Sequence, residues 1–402
     1  MNYYNVWYSF FELLDFRSKL SFIFSNSSTI NNFFIFDFDD IEKQTLEKIN
    51  SELLKNDIFK SVQRLFFAKH LDDISFLRNL KTLDTSDNDE IKQDYIKNLD
   101  LYEFNANYNK HITDVSFMHN LKVLHVRGNC GITQSSIDKL NLIKLYADNN
   151  SKIRNVSFMR NLKTLSASYN CGIDQAGING LNLIKLNVSG NSRITDVSFM
   201  RHLRSLLAFS DSGICQASIK GLNLEELDVA RNERITNVSF MYNLKILRAW
   251  GNCGIDQAGI NGLDLLELDI DHNLKIRDVS FMRNLKVLHA KGPCGIDQSG
   301  IRGLDLIILD ASENSNIRDV SWMQNLKILF AIKNTGIDQN GINGLDLIEL
   351  YVGFNTKITS VTFMRNLKVL IAWGNCEIDC TGIAGLQVDR QSVSNNDNII
   401  SV

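Results

Sequence analysis

The chain has 402 residues, 43 Lys and Arg against 46 Asp and Glu, and a formal net charge of −3 at pH 7. A balance this close to zero excludes the basic excess with which a dedicated nucleic-acid binder displaces counterions from phosphates. A single proline and 23 glycines exclude collagen, proline-rich linkers and most low-complexity disorder, and no apolar run approaches the about 18 residues that a membrane span requires.

Residues 1–61 are rich in Phe and Tyr, with an alternating F-I-F-D-F-D segment at Phe34 to Asp39. Glu12, Asp15, Arg17 and Lys19 interrupt any signal-peptide core, so the chain is expected to be intracellular, in the host cytoplasm if it is viral. Leu13, Leu20 and Phe24 have helical spacing and predict a small helical N-terminal cap. The segment L-L-D-F-R-S-K-L-S-F-I-F-S-N at Leu13 to Asn26 resembles the second half of an F-box, although the opening Leu-Pro of that family is absent. The resemblance implies a Skp1-like adaptor of a ubiquitin ligase docked through residues 10–30. A cap and a degenerate F-box both fit these residues.

From residue 62 the chain is periodic. The tripeptide Asn-Leu-Lys, or His-Leu-Arg, recurs with leucines at Leu80, Leu121, Leu162, Leu203, Leu244, Leu285, Leu326 and Leu367, each 41 residues after the last. Every period holds two turns. The first reads L-K-T-L-S-A-S-Y-N-C-G-I at Leu162 to Ile173, and the second L-I-K-L-N-V-S-G-N-S-R-I at Leu183 to Ile194. Both fit L-x-x-L-x-L-x-x-N-x-x-I, and residues 62–402 therefore resemble the leucine-rich repeat family, with about 17 turns and a degraded last one. The near-identical repeats also resemble those of giant DNA viruses and amoebae. The family resemblance implies an α/β fold, a leucine-rich-repeat solenoid with one long parallel concave sheet and short 3-10 or irregular convex segments. It also implies that the concave face is the usual binding surface.

The physics of the pattern agrees. L-x-L alternates with period two, so one side of each strand faces a core and the other faces solvent. One turn cannot bury its apolar side alone, but stacked turns share a continuous core. Asn109, Asn150, Asn191, Asn232, Asn273, Asn314 and Asn355 form an unbroken second-turn ladder. Their amides can serve backbone groups where the chain leaves the strand, a structural role whose loss costs about 1–3 kcal/mol. In the first turn, Pro293 and Asp211 stand where an asparagine is expected and predict a locally altered ladder. Five of the seven cysteines, Cys130, Cys171, Cys253, Cys294 and Cys376, are 41 or 82 residues apart, which is repeat spacing. Equivalent positions two rungs apart lie beyond disulfide reach, so these thiols are expected to be buried and reduced. Phe117, Phe158, Phe199, Phe240, Phe281, Trp322 and Phe363 recur on the return path and are expected as stacked core aromatics.

Alternate strand positions give the outward row. It contains Ser205, Leu207 and Phe209; Glu226, Asp228 and Ala230; Arg248 and Trp250; Asp269 and Asp271; His289 and Lys291; Asp310 and Ser312; Phe330 and Ile332; Tyr351 and Gly353; Ile371 and Trp373. Acidic strands alternate with basic or apolar ones, which balances charge across the sheet. The outward Phe, Trp and Ile side chains form the kind of patch that marks a contact site. No nucleotide-binding, zinc-protease or serine-hydrolase motif is present, and the seven histidines share no metal-ligand spacing. The expected role is a non-catalytic module that binds a protein partner, with no cofactor or metal. A ubiquitin-ligase substrate receptor and a purely structural repeat protein are the alternatives.

Overall fold

The computed structural model describes residues 64–65, 74, 77, 79–379 and 381–387. The expected helical cap, the F-box-like stretch with its adaptor-binding residues 10–30, and the degraded final turn lie outside these residues. The chain divides into two compact units, Met1–Asn187 and Val188–Val402.

The first unit contains strands β1 (Arg64–Leu65), β2 (Thr82–Asp84), β3 (Glu103–Asn105), β4 (Val123–His125), β5 (Lys144–Tyr146), β6 (Thr164–Ser166) and β7 (Lys185–Asn187). Each strand runs parallel to the next, with its central residue opposite that of its neighbour, as in Leu145 against Leu165. One-turn helices α1 (Gln93–Ile96) and α2 (Gln134–Ile137) and a 3-10 turn at Ala176–Ile178 lie on the return path.

The second unit repeats the scheme with β8 (Ser205–Leu207), β9 (Glu226–Asp228), β10 (Ile246–Arg248), β11 (Glu267–Asp269), β12 (Val287–His289), β13 (Ile308–Asp310), β14 (Ile328–Phe330), β15 (Glu349–Tyr351) and β16 (Val369–Ile371). These strands are parallel and follow chain order. Their return paths hold 3-10 turns at Gln216–Ile219, Ala258–Ile260, Ser299–Ile301 and Asn340–Ile342. The glycine-rich G-I-D-Q-A-G-I-N-G-L stretch favours such short turns over a longer helix, because glycine in a helix costs about 1 kcal/mol relative to alanine.

Every rung sends the same positions inward. In one double turn Val238, Met241, Leu244, Leu247, Ala249 and Ile255 are at most 1% exposed. Burying a leucine stabilises by about 1.5–3 kcal/mol, and no isolated rung can supply the neighbours that this requires. The described residues of each unit therefore form a leucine-rich-repeat solenoid.

The polar ladder differs from the expectation in one respect. The second-turn asparagines are buried as foreseen, and Asn232, Asn273, Asn314 and Asn355 donate to the carbonyls of Ala208, Ala249, Ala290 and Ala331 at 2.9–3.1 Å. Of the first-turn asparagines, Asn88 is buried as well, but Asn129, Asn170, Asn252, Asn334 and Asn375 are exposed, and so are Pro293 and Asp211. The next residue takes the buried place: Cys130, Cys171, Ser212, Cys253, Cys294, Thr335 and Cys376. The ladder thus alternates amide and thiol or hydroxyl. Asn150 and Asn314 each donate to the preceding rung's sulfur, at Cys130 and Cys294, over 3.3 Å. Pro293 leaves this ladder unaltered because it sits one residue outside it.

The row from Phe117 to Phe363 also departs from expectation. These rings are not core; Phe158 is 37% and Phe199, Phe281 and Trp322 are 36% exposed, and Phe117, Phe240 and Phe363 are half-buried. The next residue, Met118, Met159, Met200, Met241, Met282, Met323 or Met364, fills the interior instead. An unbranched methionine fits an irregular gap that a rigid ring cannot.

A second stitching system carries no signal in the leucine pattern. Gln257 Oε1 accepts from the backbone N–H groups of Arg277 and Asp278 at 2.9 Å, and its Nε2 donates to the Asp278 carbonyl at 2.9 Å. Gln93, Gln134, Gln216, Gln298 and Gln339 make the same clip to their following rungs. These side chains satisfy backbone groups that a sheet or helix would satisfy elsewhere.

Candidate functional site

The thirteen outward residues expected to bind a partner all belong to the second unit, and all are half-buried on its strand face: Phe209, Arg248, Trp250, Asp269, Asp271, His289, Lys291, Asp310, Phe330, Ile332, Tyr351, Ile371 and Trp373. Four neighbours in the same row are corrected. Ser205, Ala230, Ser312 and Gly353 are buried, because small side chains lie below the level of the larger ones on adjacent strands. Asp228 is also nearly enclosed, at 8% exposure.

The strands bring charges together in a fixed order. Register places Arg248 between Asp228 and Asp269, and His289 between Asp269 and Asp310. The guanidinium nevertheless reaches to the first strand position, not directly across. Its Nη1 and Nη2 meet Glu226 and Glu267 at 2.9 Å each. Among the described residues, no ion pair forms at Asp228, Asp269, Asp271 or Asp310. Each uses one carboxylate oxygen to accept a backbone N–H: Ala230 at 3.1 Å, Asp271 at 3.1 Å, Lys291 at 2.7 Å and Ser312 at 2.9 Å, respectively. Burial pushes the Asp228 and Asp271 carboxyls up. Asp269 rises to about 6, through burial first and then through the charges of Asp271 and Asp228.

Aromatic residues flank this acidic stretch. The Arg231 guanidinium lies 4.6 Å from the centre of the Trp250 ring. Beside them, Arg231, Glu233, Trp250, Gly251, Asn252 and His272 line a hollow of about 560 Å³. Further along, Phe330 and Tyr351 stack with centroids 4.2 Å apart, and the Tyr351 hydroxyl donates to Glu349 at 2.8 Å. Phe354 meets Trp373 edge-on at 4.7 Å.

Arg231 and Phe354 belong to the surface although strict alternation omits them. Both have positive φ, 55° and 58°, where the chain leaves the strand and the period-two rule stops. A comparable group stands in the first unit. His125 stacks on Tyr146 at 4.4 Å, and Arg127 lies over the same ring while pairing with Asp148 at 2.8 Å. On the opposite side of the second unit, Gln298, Arg302, Arg318, Asp319 and Trp322 border a hollow of about 720 Å³. Among the described residues no group of three His, Cys, Asp or Glu could hold a metal ion, and no helix is long and apolar enough to cross a membrane.

No family model and no curated protein matches the chain. Solved structures do. An internalin of Listeria monocytogenes is 19% identical, covering 85% of this chain and 96% of its own, with a TM-score of 0.38. A leucine-rich-repeat protein of Leptospira interrogans is 15% identical over 90% of this chain and 98% of its own, with a TM-score of 0.34. The mouse RP105/MD-1 complex contributes a match at 13% identity, 78% and 70% coverage and a TM-score of 0.44. The class of fold is set by the chain's own rungs: the described residues of each unit form a leucine-rich-repeat solenoid, with 20- and 21-residue turns stacked in parallel and one row of side chains left outside the core.

Proposed function

We propose that the chain is a non-catalytic protein-interaction module that takes its partner on the strand face of residues 188–402. One observation carries the reading. Trp250, Phe330, Ile332, Tyr351, Ile371 and Trp373 stay half-exposed on a face whose core positions are filled by other residues. Tyr and Trp lose little conformational freedom when covered and supply large contact areas, which is why they dominate contact surfaces. Here they are already held by neighbouring rings and guanidinium groups.

Replacing Trp250, Phe330 and Trp373 with Ala tests it. Affinity capture from the native cell is expected to lose its partner, while the unfolding midpoint moves by no more than about 5 °C. Capture that survives the triple replacement refutes the face. The F-box-like residues 10–30 support a narrower version, a ubiquitin-ligase substrate receptor acting inside the cell. That version predicts co-purification with a Skp1-like adaptor, abolished by deletion of residues 1–30.

A further inference from the structure

We propose that the partner segment on this strand face is bipartite, with a basic stretch over Asp269, Asp271 and Asp310 and an apolar anchor over the Phe330, Tyr351 and Trp373 platform. The inference rests on the strand-face reading above and adds the partner's chemistry to it.

Two independent features point to the same ligand. The first is an imbalance of charge. Arg248 is committed to Glu226 and Glu267, both at 2.9 Å. The other Lys or Arg of β9 to β13 and the positions just after them are Lys291 and Arg231, and Arg231 is held over the Trp250 ring at 4.6 Å, against Glu226, Asp228, Glu267, Asp269, Asp271, Asp310 and Glu313. Asp269, Asp271 and Asp310 each spend one oxygen on a backbone N–H, that of Asp271, of Lys291 on the next rung and of Ser312 respectively, and keep the other for a donor from outside. Asp269 and Asp310 stand two strands apart, about 10 Å, and Asp271 follows Asp269 on the same rung, so a cationic partner lowers the energy of this face whereas an acidic one raises it. The second is the platform. Phe330 stacks on Tyr351, and Trp373 is braced by Phe354, so these rings present apolar faces without needing to be ordered on contact.

Their separation sets the partner's dimensions. Asp269 lies on β11 and Tyr351 on β15, four strand spacings apart, or about 19 Å. An extended chain covers that distance in about six residues. The matching segment therefore carries arginine or lysine about six residues from an aromatic or aliphatic anchor.

Three synthetic peptides of about ten residues test this on the full chain. One has an arginine cluster, a Gly-Ser spacer and a Trp-Leu end. The second has glutamates in place of the arginines, and the third has glycines in place of Trp and Leu. The first is expected to bind at least about tenfold more tightly than either other. The variant D269N/D271N/D310N keeps the backbone hydrogen bonds and is expected to erase its advantage over the second peptide. W373A is expected to erase its advantage over the third. Acidic-peptide binding that is equally tight and still needs Trp373 overturns the charge assignment and leaves the strand-face reading intact. Affinities indifferent to both variants overturn both. Absence of binding by all three up to about 1 mM overturns the bipartite segment.

Discussion

The Trp373 indole lies directly over Gly353 of the preceding rung. A Cβ built on that glycine would stand 2.5 Å from Cε2 and 2.7 Å from Nε1 of the ring. The backbone there is not in the left-handed region, so an alanine would be tolerated by the chain itself. The contact selects glycine for the sake of the ring above it. Gly353→Ala is therefore expected to lift Trp373 off the strand face without disturbing the core. The check is the Trp373 fluorescence component, obtained by difference from Trp373→Phe. A red shift with a small loss of stability is expected; an unchanged spectrum would show that the ring is not held there.

The amide–thiol ladder predicts a graded stability series. Asn273 donates to the Ala249 carbonyl at 2.9 Å and to the Cys253 sulfur at 3.5 Å, and accepts from Lys275 N–H at 2.8 Å. Asn273→Ala leaves buried backbone groups without partners and is expected to cost about 1–3 kcal/mol in denaturant titration. Cys253→Ala removes a weaker partner and is expected to cost less. The reverse order would mean that the sulfur, not the amide, holds the turn.

The thiols themselves should divide by burial. Cys130, Cys171, Cys253, Cys294 and Cys376 are buried, and burial pushes the thiols of Cys130, Cys253, Cys294 and Cys376 up, Cys253 and Cys294 to about 11. Cys215 is partly exposed, and the Ser218 hydroxyl beside it holds its thiol below the usual range. Thiolate is the reactive form. Brief iodoacetamide treatment of the native chain, read by peptide mass mapping, is expected to modify Cys215 well before these five. Equal labelling of a ladder cysteine would contradict its enclosure.

How far the sequence alone reaches follows from what repeats. Leu244, Leu247 and Ile255 recur by number, so the core and the direction of every strand could be read before any coordinates. Phe240 recurs just as strictly and yet is half-buried and outside the core, because periodicity marks a shared environment and not which environment it is. Cys253 was visible as a periodic thiol, but its place in the ladder was not, since Asn252 matched the consensus one residue earlier and faces solvent. Gln257 carried no apolar signal, and its clip depends on the next rung's backbone. On the strand face, Trp250 and Trp373 could be placed outward by alternation. Arg231 and Phe354 could not, because they lie past the strand ends where left-handed residues redirect the chain.

Asp269 predicts a pH dependence with a definite sign. Its carboxyl is raised from the ordinary 3.8 to about 6, so the folded chain holds that proton more tightly than the unfolded chain does. The corresponding stability is fully present below about pH 3.8 and is lost as pH rises through about 6. Asp269→Asn keeps the acceptor for Asp271 N–H and removes the charge. It is expected to be more stable than the parent at pH 7.5, with the difference vanishing towards pH 4. Chemical denaturation across that range decides; a difference that grows on acidification would have the wrong sign.

Oxidative footprinting of the captured complex decides whether contact occurs on the strand face of residues 188–402. Trp250 and Trp373 on that face and Trp322 on the opposite side serve as internal reporters within one molecule. Trp250 and Trp373 are expected to be protected on complex formation, with Trp322 and Phe281 oxidised as in the free chain. Protection confined to Trp322 and the half-exposed phenylalanine row would place the partner on the other side and contradict contact on the strand face.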